Sequence, residues 1–237
     1  MSVSAKDRGI LRGLAEEVAE IAALPVQQET IALWKQMNSL KPVRPMVMID
    51  QVCWHEMEVD GELTLQTEDD FCRGLENRLR RILYSWKHMR ADMVVEPVID
   101  IGKAIRNTGF GVQTIEERAV LDPKNGVVGH LYIDQLKNEE DLEKIRTPEI
   151  SHDEEGTARV KGMAEELFDG ILSVRIQGTL PSFAPWDAIV QWHGVEGSLL
   201  DVVDRPEFIH AIMSRVTDAY LSMLDQLEEQ GLLGSEQ

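Results

Sequence analysis

Apolar residues recur at three- and four-residue spacing through Ile10, Leu14, Val18, Ile21 and Ala22, while Glu16, Glu17 and Glu20 fall mostly on other faces. This is the period of an amphipathic helix, and it predicts helix from Ala5 to about Met37. Pro25 interrupts the run, so a second helix carries Ile31 and Trp34. Lys41 to Pro45 holds two prolines and reads as an extended lead-in to Met46-Val47-Met48-Ile49. That short run is apolar without alternation, the pattern of a strand covered on both faces. A long helix follows from about Asp69 to Arg90, with Leu75, Leu79, Ile82, Leu83 and Trp86 as its inward stripe. Met93 to Ile99 is a second apolar strand, bent or ended by Pro97.

The pattern then changes. Val112, Thr114, Ile115 and Val120 lead to Asp122-Pro123-Lys124-Asn125-Gly126, whose Asn-Gly pair signals a tight turn, and Val127 to Tyr132 supplies a returning strand. A β-hairpin is expected here. Asn138 to Arg146 predicts a short charged helix stopped by Pro148, and Asp153 to Asp169 another, with Val160, Met163, Ala164 and Leu167 on one side. Ile171 to Ile176 is a third apolar strand ending at Gly178. The last helix runs from about Pro206 to Leu227, with Ile209, Ile212, Val216, Ala219, Leu221 and Leu224 facing inward. Strands alternating with helices predict an α/β fold with a parallel sheet. Three strands do not close a barrel, which needs about eight. The expected organisation is an N-terminal helical extension over 1–42 and an α/β body over 43–237.

Charge and cysteine content narrow the function classes. The chain carries 42 acidic against 24 basic residues, a net charge of −18. Such a surface repels phosphate backbones, so no nucleic-acid partner is expected. The densest basic stretch, Arg78, Arg80, Arg81, Lys87 and Arg90, has helical spacing and reads as a solvated helix face. Cys53 and Cys72 fit no metal or redox spacing. No apolar stretch approaches the roughly 18 residues needed to cross a bilayer, and the N-terminus lacks a signal-peptide run. A cytoplasmic protein without membrane contact is expected.

Several stretches, in order, resemble the uroporphyrinogen decarboxylase superfamily, which includes cobalamin-dependent methyltransferases. Arg44-Pro45-Met46-Val47-Met48-Ile49 is similar to the family's lead-in to its first strand, and Asp92 to Asp100 to its second strand. Glu140 to Pro148 is close to a family helix. Ile176-Gln177-Gly178, Ala184-Pro185-Trp186, Val195-Glu196-Gly197, Arg205 to His210 and Thr217-Asp218-Ala219 then follow in the family's order. The resemblance covers about Arg44 to Gly231 and implies a partial TIM-type (β/α) barrel with about three parallel strands, an inserted β-hairpin and an N-terminal helical extension.

The departures from the family bear on activity. Its decarboxylases carry two arginines after the first strand, and Asp50-Gln51-Val52-Cys53-Trp54-His55-Glu56 has none. A polycarboxylate binder without those forks loses its bidentate contacts, so tetrapyrrole decarboxylation is the weakest expectation. The methyltransferase branch fits better. It implies a small methylated substrate, a corrinoid acceptor on a possible corrinoid protein, and a zinc site in the second half of the barrel. The chain ends before that half, so neither cofactor is expected to bind this chain alone. A homo-oligomer, or a second chain completing the barrel, is the expected assembly. The alternative is a non-catalytic ligand-binding or interaction module derived from the fold.

In a β/α barrel chemistry sits at the carboxyl ends of the strands. That rule selects Asp50, Trp54 and His55 after the first strand, Glu96 and Asp100 after the second, and Trp186, Trp192 and His193 after the third, all as substrate-binding candidates. No catalytic residue is identified. The Trp54-His55-Glu56 trio suits a small aromatic or methylated ligand, but reads more readily as a turn with Trp54 capping the core. Asp100 is equally read as an ion-pair partner of Arg106 or Arg175, and Glu96 stands in the same position. His193 with Glu196, and His152 with Asp153 to Glu155, lack a third ligand and read as loop or cap residues rather than metal sites.

Overall fold

The computed structural model describes residues 3–120 and 128–234. In chain order the elements are α1 (Ala5–Ala22), α2 (Pro25–Asn38), α3 (Asp70–His88), β1 (Val98–Gly102), β2 (Ile105–Asn107), β3 (Glu116–Ala119), β4 (Gly129–Tyr132), β5 (Ile150–His152), α4 (Glu154–Phe168), β6 (Ser173–Gln177), α5 (Pro185–His193), α6 (Val195–Asp204) and α7 (Pro206–Glu229). Single 3-10 segments lie at Trp54–Glu56 and Glu139–Lys144. The fold is mixed α/β, with β1 and β6 forming a parallel pair. No helix among the described residues is long and apolar enough to cross a membrane.

The chain divides into two units, 1–101 with 159–176, and 102–158 with 177–237. In the first unit, α1 opens on Ser4, whose hydroxyl accepts from the Asp7 amide at 3.0 Å. Asp69 does the same for α3, accepting from the Cys72 amide at 3.1 Å. Leu11, Ala15 and Val18 of α1 pack with Cys72, Leu75 and Leu79 of α3, so α1 lies within this unit's core. Ile99 and Ile101 of β1 join them, as do Ala164, Leu167 and Phe168 of α4. Each fully buried side chain of this kind stabilises by about 1.5–3 kcal/mol.

The expected first strand is corrected. Residues 46–49 form no strand, and Val47, Met48 and Ile49 are exposed. Asp92 holds this segment instead. Its carboxylate pairs with the Arg44 guanidinium and accepts from the Val47 amide at 2.8 Å, and its own amide donates to the Val47 carbonyl at 3.2 Å. Those contacts, Arg44 first, push the Asp92 carboxyl down to about 2. One backbone bond to a loop builds no ladder. Among the described residues the parallel strands are therefore two, β1 and β6, where about three were expected.

The second strand begins where it was expected to bend. Pro97 has no amide to offer a ladder, so β1 starts at Val98, while the Pro97 carbonyl accepts from the Ser173 amide at 2.9 Å.

In the second unit, α7 buries Phe208, Ile209, Ile212, Val216, Ala219, Met223 and Leu227. The first four pack with Ile189 and Trp192 of α5 and with Val112, Leu136, Leu142 and Ile145. Met223 and Leu227 form a second cluster with Ile150 and Leu232. The expected hairpin is present, with β3 and β4 antiparallel and Glu116 opposite Tyr132. Its Asp122 to Gly126 turn lies outside the described residues. An unexpected antiparallel pair joins β2 to β5, with Arg106 opposite Ser151. Helices α5 and α6 were also not anticipated, although Pro185 at the first turn and the Trp186–Ile189–Trp192 spacing are helix signals. Between them Gly194 has φ of +79°, a backbone conformation that disfavours any side chain.

Candidate functional site

β1 ends at Gly102 and β6 at Gln177, and the ladder continues one step further, with the Lys103 amide donating to the Gln177 carbonyl at 2.8 Å. Beyond these two carboxyl ends a cleft of about 460 Å³ opens within the second unit. Its polar lining is Lys103, Asn107, Gln177 and Thr179; its apolar floor comes from Ile105, Ile150, Met223 and Leu227. The carboxyl ends of parallel strands are where α/β folds place ligands, because loops diverge there and leave backbone groups unpaired.

The rim of the cleft is held by the segment after α7. The Thr179 amide donates to the Leu232 carbonyl and the Gly234 amide to the Thr179 carbonyl, both at 2.8 Å. Gly178 permits this approach. A methyl group there would stand 2.3 Å from the Leu232 carbonyl oxygen and 2.5 Å from that of Leu233, both main-chain atoms. Gly178→Ala is therefore expected to lower stability by about 1–3 kcal/mol. Faster hydrogen exchange at 230–234 is the local signature, and unchanged exchange there would contradict the packing described.

Lys103 Nζ donates to the Gly231 carbonyl at 2.5 Å, which uses one of its three donors. Asn107 Nδ2 contacts Met223 Sδ at 3.7 Å. Among the described residues, the lining holds no carboxylate, imidazole or thiol. One ammonium, two amides and a hydroxyl over an apolar floor have the chemistry to orient the polar end of a small molecule.

The eight residues proposed from sequence lie elsewhere. Asp50 is exposed. Trp54 and His55 share the 3-10 turn, with Trp54 set edge-on to Tyr84 at 6.0 Å and His55 Nε2 3.4 Å from Glu56. Asp100 forms a two-pronged pair with Arg175, at 2.6 and 3.1 Å, and Glu96 lies 3.8 Å from the same guanidinium. Arg175 is thus the partner anticipated as an alternative for Asp100. Trp186 is half-buried against the α5–α7 core, and Trp192 is buried 6.1 Å from Phe110. His193 is buried between two carboxylates, with Nδ1 2.9 Å from Asp134 and Nε2 2.7 Å from Asp201. Arg205 pairs with Asp201 as well. Arg205 first, then His193, hold the Asp201 carboxyl below its usual range against the opposing effect of burial.

Applied to the observed strand ends, the strand-end rule selects different residues. Reading Pro97 as a start rather than a stop moves the second strand's end from Asp100 to Gly102, and Lys103 then follows as a candidate. Nothing local to Asn107 or Thr179 marks them.

Among the described residues no three His, Cys, Asp or Glu side chains are placed to share a metal ion. Cys53 is exposed, and burial, followed by the nearby Asp69, pushes the Cys72 thiol up to about 12, away from thiolate character. These residues do not fit the zinc–thiolate site of the methyltransferase branch. No family model matches the chain, and neither does any curated protein or solved structure.

Proposed function

We propose that the chain is the substrate-binding front part of a uroporphyrinogen decarboxylase-like methyltransferase, and that its cleft holds a small methylated compound destined for a corrinoid acceptor. The supporting observation is the cleft at the carboxyl ends of the parallel β1 and β6. The ordered motifs from Arg44 to Gly231 support the superfamily, and the parallel pair is compatible with a partial barrel. In this reading Lys103 and Thr179 orient the polar end of the ligand over Ile105 and Ile150, and zinc and corrinoid chemistry belongs to other segments of the assembly.

Titration calorimetry with a panel of small O- and N-methylated compounds tests the proposal. At least one is expected to bind, and Lys103→Met to weaken it about tenfold, the loss of a charge-assisted hydrogen bond. Absence of binding up to about 10 mM, beyond roughly 3 kcal/mol of affinity, would remove the reading.

A specific observation favours a second reading, a self-associating interaction module. The buried residues of α6 are Ser198 and Asp201, while Val195, Leu199, Leu200, Val202 and Val203 are exposed. This helix turns its polar face inward and its apolar face outward, the reverse of a solvated surface helix. Light scattering of the chain and of the double variant Leu199→Glu/Val203→Glu checks it. An oligomer dissociated by the variant is expected; a parent chain that is already monomeric contradicts the module.

A further inference from the structure

A second cavity, of about 390 Å³, lies wholly within the first unit. One stripe of α3 forms its floor: Gly74, Asn77, Arg78, Arg81, Ile82 and Ser85, at the spacing of successive helical turns. Trp54 and Met93 complete the lining. This is the basic helix face that sequence alone reads as simply solvated.

Two of its lining side chains are cations. Acidic residues outnumber basic ones by 42 to 24, and most arginines have found a carboxylate: Arg80 pairs with Glu76, Arg175 with Asp100, Arg205 with Asp201. Among the described residues, no carboxylate stands within ion-pair distance of Arg78 or Arg81. Arg78 donates to the Asp100 main-chain carbonyl, and the Arg81 guanidinium lies over the Trp54 ring at 4.9 Å. A guanidinium stacked on an aromatic face keeps its in-plane N–H edge for an acceptor in that plane. Two guanidiniums lining one cavity without carboxylate partners, in so acidic a chain, leave a local site for an anion.

Gly74 leaves further room in the floor. Glycine inside a helix is unfavourable relative to alanine. A methyl group at Gly74 would meet nothing within 4 Å, so packing inside the protein does not require its absence. The missing side chain enlarges the cavity floor.

We infer that this cavity binds a small planar aromatic carboxylate, its carboxylate held by Arg78 and Arg81 with Asn77 as a further donor, and its ring against Trp54 and Met93. A carboxylate matches the guanidinium fork, and a flat ring matches the tryptophan wall. The inference concerns the first unit alone and stands or falls independently of the cleft beyond β1 and β6.

The test is titration of the full chain with benzoate, benzamide and inorganic phosphate, followed by quenching of tryptophan fluorescence. Benzoate is expected to bind, with benzamide and phosphate each at least tenfold weaker, because one lacks the charge and the other the ring. Arg81→Gln is expected to weaken benzoate at least tenfold. Gly74→Leu, which fills the floor with a good helix former, is expected to abolish binding while leaving the circular dichroism spectrum unchanged. Equal binding of benzoate and phosphate overturns the aromatic assignment. Unchanged benzoate affinity in both folded variants, or no binding by the parent, overturns the site.

Discussion

Glu76→Ala is expected to destabilise the first unit by about 3–5 kcal/mol, the cost of removing one partner from a buried charged network. Glu76 is fully buried on α3, and four donors converge on its carboxylate. They are the Gln66 amide, the Thr67 amide and hydroxyl, and Arg80 Nε, all between 2.7 and 2.9 Å. Burial alone would raise this carboxyl; the Thr67, Gln66 and Arg80 contacts outweigh it and hold it below its usual range. Without the carboxylate, Arg80 and the 66–67 backbone keep buried donors with nothing to receive them. Glu76→Gln retains one acceptor oxygen, so its cost is expected to be about half as large.

The same network sets a pH dependence. A carboxyl whose folded value lies below its unfolded value, about 4.3, contributes stability that is fully present above that pH. The contribution is lost as pH falls through the folded value. Chemical denaturation at pH 7 and pH 3 should therefore show the gap between the parent chain and Glu76→Gln narrowing in acid. A gap that stays constant would mean the carboxylate is not the hub described.

The second large effect is expected from His193→Ala, again about 3–5 kcal/mol. Both ring nitrogens of His193 are engaged, Nδ1 2.9 Å from Asp134 and Nε2 2.7 Å from Asp201. Removing it leaves Asp201 to Arg205 alone and strips Asp134 of its buried partner. The edge contact of the ring with Phe208, 5.7 Å between centroids, is lost too. The consequence should be local. Ser198 and Asp201 are the buried residues of α6, and the His193–Asp201 bond ties one of them to α5. Hydrogen exchange by mass spectrometry should show α6 amides exchanging faster while α1 and α3 keep their protection. Unaltered α6 protection would show that the helix is held some other way.

These two residues also mark where sequence reading stops. Position after a strand in an α/β pattern makes His193 a ligand candidate, whereas the folded chain places it between two carboxylates. Its partner Asp134 is 59 positions away, and no spacing rule connects them. Glu76 carries no local signal: among the charged residues of α3 it looks like one more solvated glutamate.

The long helices were predictable from the chain alone. α3 and α7 each carry a buried stripe repeating every three or four residues, and Asp69 and Pro206 mark their starts within two residues of the expected positions. The alternation of helix and strand likewise indicated the mixed α/β class, and the Asn-Gly pair the hairpin. Helices are this readable because each backbone bond closes within four residues, so the period and the caps sit in one window. Pairing of strands and of buried polar groups follows no such window. It was the tertiary structure that left 46–49 clasped by Asp92 instead of in a sheet and joined β2 to β5. It also set the strand ends at Gly102 and Gln177, with Lys103 and Thr179 just beyond them, and gathered Trp54, Arg78 and Arg81 around one cavity. Each of these depends on which distant residue supplies the missing donor, acceptor or apolar surface, and only the folded chain brings those residues together.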